Sequence, residues 1–131
     1  MTLMNSLFNS DETMKKRTAI ALGKIGDLRA IEPLNKTLQT DSSYYVQVKA
    51  AEVLERIGSP AVDSLISSLQ NERETVRKLA ARVLDHIGNR RALNLLVGLL
   101  RDEDKDVQGA AKRALQSICT KCNIDYQQVI K

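Results

Sequence analysis

Residues 46–58 read VQVKAAEVLERIG, and residues 76–88 read VRKLAARVLDHIG. The two strings agree at the opening Val, the Ala-Ala pair, the Val-Leu pair and the closing Ile-Gly. Looser copies stand at 14–26, MKKRTAIALGKIG, and at 107–119, VQGAAKRALQSIC, so the chain repeats with a period of about 31 residues. Apolar residues recur at fixed places: Met14, Val46, Val76 and Val107; Leu22, Leu54, Leu84 and Leu115; Ile25, Ile57, Ile87 and Ile118. Spacings of eight and then three put these residues on one stripe of an α-helix, the A helix of each repeat. Small residues between them, as at Ala50–Ala51 and Ala80–Ala81, let neighbouring helices approach closely.

Each of the first three copies closes on Ile-Gly and continues with Asp27, Ser59 or Asn89. Glycine takes the left-handed conformation that ends a helix, and Asp, Ser and Asn are favoured caps for the next one. Pro60 suits a first helical position, where its missing N–H is no loss. A second stripe follows each corner: Ala30, Ile31, Leu34 and Leu38; Ala61, Val62, Leu65 and Leu69; Ala92, Leu93, Leu96 and Leu100. These are the B helices. Leu3 and Leu7 precede Met14 as Leu65 and Leu69 precede Val76, so residues 1–12 read as a half-repeat that caps the N-terminal end. The expected layout is one domain over 1–131: the cap at 1–12, repeats at 13–41, 42–72 and 73–103, and an incomplete fourth repeat with a C-terminal cap at 104–131. That makes about eight helices in an all-α solenoid of helical hairpins.

Composition agrees. Aromatic residues make up 3 % of the chain, so the core is built from Leu, Ile, Val and Ala, which favours helix-on-helix packing. No apolar run approaches the roughly 18 residues of a membrane span, and the start MTLMNSLFNS lacks the features of a secretory signal, so a cytoplasmic, membrane-free protein is expected. Basic residues number 20 and acidic residues 16, interspersed along the chain, which points only weakly to nucleic acid.

The string IALGKIGDLRAIEPLNKTL (20–38) and its copies resemble the HEAT-like repeats first noted in phycobilin lyases. The resemblance implies a right-handed superhelix, with A helices on the convex face and B helices lining a concave face used mainly to bind proteins. It also implies an arginine after the A-helix valine; the residues there are Lys15, Gln47, Arg77 and Gln108, and Arg77 alone fits. HEAT-like hydroxylases bind iron through repeated His-Glu pairs, and this sequence has none.

Several residues invite a chemical reading. Cys119 and Cys122, in CTKC, have the spacing of metal and redox sites. A zinc site needs about four ligands. The lone His86, one repeat away in a polar helix column, cannot complete it, so an ordinary pair of thiols is expected, with a metal shared between two chains as the alternative. The basic clusters at 15–17, 90–91 and 112–113 lie in different repeats without interleaved aromatics. No nucleophile, base and orienting group occur together, so no catalytic residue, cofactor or metal is expected and the chain reads as a non-enzymatic scaffold.

Partner binding is assigned to the outer row of the B helices, the side opposite Leu34 and its equivalents: Arg29, Glu32, Lys36 and Gln39; Asp63, Ser67 and Gln70; Arg91, Asn94 and Arg101. Phe8 aligns with Gln39, Gln70 and Arg101, and is expected to anchor a partner protein or a second copy of the chain, with folding back onto the N-terminal cap as the equal alternative. Nucleic-acid binding and a bilin lyase or chaperone-like role are the rival functions, and self-association through the terminal repeats is a further possibility. Leu95 and Leu99 replace polar residues of the earlier repeats, and the tail NIDYQQVIK (123–131), with Asn123 as N-cap, is expected to fold over them.

Overall fold

The computed structural model describes residues 28–131 together with Ala21. The N-terminal half-repeat, Phe8, Lys15, the 15–17 cluster and the Asp27 cap lie outside the described residues. The B helices are α1 (Ile31–Thr40), α3 (Val62–Ser68) and α5 (Leu93–Leu99); the A helices are α2 (Tyr44–Ile57), α4 (Glu74–Ile87) and α6 (Lys105–Cys122). A single turn, α7 (Tyr126–Val129), ends the chain. Each B helix is entered through a short 3-10 turn, at Leu28–Ala30, Ser59–Ala61 and Arg90–Ala92. The A helices stack in order, α2 on α4 on α6, and each B helix packs chiefly on the A helix that follows it. Among the described residues there is no strand, and no helix is long and apolar enough to cross a membrane.

The core follows the two stripes. Leu34, Leu54, Leu65, Leu84, Leu96, Leu115 and Ile118 are fully buried, and the alanine pairs at 50–51, 80–81 and 110–111 are buried in the same core. Leu93 and Leu100 are only half-buried, although their equivalents Ile31, Val62, Leu38 and Leu69 are buried. Among the described residues only the single turn α7 follows α6, in place of a further full B helix.

How each A helix starts was not legible as a pattern of caps alone. Asp41, Asn71 and Asp102 each turn a side-chain oxygen back to accept from the backbone N–H two residues on, at Ser43 (2.8 Å), Arg73 (3.0 Å) and Asp104 (2.9 Å). The residue after the A-helix valine then reaches the carbonyls left open at the end of the preceding B helix. Gln47 donates to Leu38 O at 2.9 Å, Arg77 to Asn71 O and Glu72 O at 2.9 Å each, and Gln108 to Asp102 O. Gln and Arg share this task because both carry an N–H donor on a long stem.

The corners differ from expectation in three places. Gly58 (φ 80°) and Gly88 (φ 72°) do close α2 and α4, but Ser59 does not cap the next turn: Gly58 holds that position and no side chain bonds it. Asn89 does cap its turn, accepting from Arg91 N at 2.9 Å. In the fourth copy Cys119 stands where glycine stood, and a side chain there disfavours positive φ. The helix therefore runs on through Cys122 and stops at Asn123, which takes φ 56°. Asn123 thus ends α6 rather than starting α7, and Asp125 is the N-cap of α7, accepting from Gln127 N at 3.0 Å.

The third difference concerns the tail. Ile124 N bonds Cys119 O at 2.8 Å and α7 packs on α6. Leu95 and Leu99 instead look back toward the second repeat, sharing a cleft with Leu69 and Gln70. The same column faces backwards in the second repeat: Ser64 and Ser68, which align with them, bond to residues of α1. The extra apolar flank is an inter-repeat surface, and the tail does not line it.

Candidate functional site

The outer row of the B helices is exposed where it was expected to be. Arg29, Glu32, Lys36, Asp63, Ser67, Gln70, Arg91, Asn94 and Arg101 are exposed, and Gln39 is half-buried. Cross-repeat bonds fix part of the row. The Arg91 guanidinium lies 3.0 Å from Asp63, and the Gln39 amide donates to the Ser68 hydroxyl at 3.0 Å. The Ser68 hydroxyl donates to Asn35 Oδ1 (2.7 Å), the Asn35 amide to Ser64 O (3.0 Å), and the Ser64 hydroxyl to Glu32 (2.6 Å). This chain of hydrogen bonds registers α1 against α3, and Asn35 and Ser68 are buried within it. In the next interval the column holds Leu95 and Leu99, so a polar junction gives way to an apolar one.

There the surface opens into a cleft of about 670 Å³. Leu69, Leu95 and Leu99 give it an apolar lining, Gly98 contributes no side chain, and Glu72 and Glu103 stand exposed on its rim. Asp102 also lines the cleft but is already engaged. Arg77 holds it from two nitrogens, Nε at 2.8 Å and Nη2 at 3.0 Å, with both side chains about nine-tenths buried. Burial alone would push the Asp102 carboxyl upward; the Arg77 hydrogen bonds and the N–H of Asp104 outweigh it and hold the carboxyl below the usual range. The Asp102 hydrogen bond in turn raises Arg77 further, against the effect of burial. The net charge left to the rim is therefore that of the two glutamates. Periodicity located the exposed row but not this cleft, because periodicity does not say which neighbour a flank faces.

The cysteines occupy a different end of the molecule. Both are free; Cys119 is buried and Cys122 half-buried. Burial, with Cys122 and Asp125 nearby, pushes the Cys119 thiol up, away from the nucleophilic thiolate. Lys121 donates to His86 O at 3.1 Å and the Cys122 thiol points to Gly88 O at 3.8 Å, so CTKC clasps the corner of the preceding A helix. His86 is half-exposed beside Glu55 at 3.1 Å. Among the described residues no group of three or more His, Cys, Asp or Glu side chains is placed to hold a metal.

The profile of HEAT repeats matches residues 31–116. The chain belongs to the HEAT repeat family. The profile of the PBS lyase HEAT-like repeat matches residues 15–40, in line with the phycobilin lyase resemblance. Residues of the chain are 38 % identical over 58 positions to the phycocyanobilin lyase subunit alpha of Picosynechococcus sp., covering 41 % of this chain and 21 % of that protein. This HEAT repeat chain therefore spans about a fifth of the curated relative it matches. Among solved structures, human deoxyhypusine hydroxylase in complex with glycerol superposes with a TM-score of 0.74 at 24 % identity, covering 88 % of this chain and 42 % of the other. The complex of CpcE and CpcF of phycocyanin lyase from Nostoc sp. gives 0.69 at 24 % identity, covering 97 % and 56 %. Both likenesses carry the helical repeat fold.

The lyase relative corrects the expectation that the chain is not an enzyme. That expectation rested on finding no nucleophile, base and orienting group in one chain. A lyase subunit need not hold all of them, since holding and orienting a substrate can be one subunit's share of catalysis.

Proposed function

We propose that this chain is a protein-binding HEAT-like module with a bilin-lyase-like role, receiving a partner protein along its B-helix face. The observation that carries the reading is the apolar cleft between the second and third B helices, set within an exposed polar row. An apolar anchor ringed by polar residues is the usual anatomy of a protein interface, whose core is apolar and whose rim is wet. The glutamates on this rim favour a partner segment with an apolar side chain flanked by basic ones. The relative, a phycocyanobilin lyase subunit, supports the bilin-lyase-like part of the reading. On this reading the face is the concave one, and the repeats divide at 13–41, 42–72 and 73–103.

The test uses the purified chain, an apo-phycobiliprotein and free bilin. Association by calorimetry should be lost, by about tenfold or more in Kd, when Leu95 is changed to Ala together with Glu72→Lys and Glu103→Lys on the cleft rim. Bilin attached to the apo-protein after denaturation measures the lyase-like part. No association with the wild-type chain would contradict the proposal.

A further inference from the structure

The opposite face, formed by the A helices, carries a second groove of about 500 Å³ that the partner reading does not use. Lys78, Arg82 and Arg113 converge on it from α4 and α6, over a floor of Leu79 and Ala110. Among the described residues no carboxylate stands within salt-bridge distance of any of these three cations. Asp85 is the one acidic residue in the lining. Lys78 sits over the ring of Tyr44, 5.8 Å from its centre, and Tyr44 is 47 % exposed, among the most exposed large hydrophobic side chains of the described surface. Three unpaired cations against one carboxylate leave a net repulsion, and an arriving anion removes that repulsion as well as adding its own attraction.

We propose that this groove binds an acidic segment of a protein, two or three side chains at a time. Size and charge both limit the occupant. The space is that of a small-molecule or side-chain pocket, not a track for a polymer. On the α2 side the positive patch ends at Glu52 and Glu55, the first paired with Lys49 and the second with His86. A nucleic-acid backbone following the A-helix face would run into Glu52 and Glu55 as well as Asp85, whereas a short carboxylate-bearing segment in the groove meets Asp85 alone. Arg82 and Arg113 would clamp carboxylates through paired N–H groups, Lys78 would act as a point charge, and Leu79 and Ala110 would accept a small apolar side chain.

The experiment measures fluorescence anisotropy of a labelled peptide of alternating Glu and Leu, about ten residues long, titrated with the full chain near physiological salt. Binding should weaken by about tenfold or more in Arg82→Glu combined with Arg113→Glu. The pair Lys105→Glu with Lys112→Glu changes net charge equally on exposed positions outside the groove and should leave Kd within about twofold. Arg82 and Arg113 are exposed, so helical signal and melting should match wild type in the groove variant. Absence of peptide binding, equal loss in both variants, or tighter binding of an oligodeoxythymidine of the same charge would overturn the proposal. Apo-phycobiliprotein binding by the groove variant reports separately on the B-helix face, so the two readings fail independently.

Discussion

Removing the Arg77 guanidinium would leave the Asp102 carboxylate 8 % exposed with no cation. Breaking one partner of a buried pair typically costs 3–5 kcal/mol, so Arg77→Ala should lower the stability measured by urea unfolding by about that much. Arg77→Gln should cost less, because Gln47 shows that an amide suffices for the carbonyl contact, and adding Asp102→Asn should recover part of the remainder. The pair also sets a pH response. Folded Asp102 binds its proton more weakly than the unfolded carboxyl, so its contribution is complete above the ordinary carboxylate range and is lost as pH falls through the lowered folded value. Wild type should therefore lose stability on acidification below that range more steeply than Asp102→Asn. Arg77 stood out in the sequence as the one family-like arginine, but its partner did not. Asp102 lies 25 residues on, just past the B helix of the same repeat, and no spacing rule identifies that contact.

The element scale shows why the same helix pattern gives two kinds of junction. Between α1 and α3 the contact is a hydrogen-bond chain through Asn35 and Ser68, while between α3 and α5 the same column holds Leu95 and Leu99. Asn35→Ala leaves the buried Ser68 hydroxyl without its acceptor, and a stranded polar group of this kind costs about 1–3 kcal/mol. Asn35→Leu with Ser68→Leu copies the apolar junction and should come closer to wild type than Asn35→Ala does, as read by thermal melting. Helix positions were legible from the stripes because burial follows the 3.6-residue period directly. Corners and ends were less so. Asn123 reads equally well as a start or a stop, and only the missing glycine at 119 makes it the stop. The backward direction of the Leu95–Leu99 flank follows from how repeats stack, which the period does not encode.

Across the whole molecule, two opposed surfaces carry different chemistry: an apolar cleft with an acidic rim on the B helices, and a basic groove on the A helices. The exposed row was readable because polar residues at regular spacing mark the side of each B helix away from the core. The lyase relationship was readable as a family resemblance, but the expected absence of enzymatic function did not survive comparison with a lyase subunit. The central claim is that a protein partner sits on the B-helix cleft. Amide hydrogen exchange of the full chain, with and without saturating apo-phycobiliprotein, tests it directly. The account predicts added protection over residues 64–71 and 95–103, with residues 78–86 unchanged. Protection confined to 78–86 and 109–113, or none anywhere at saturation, would contradict it.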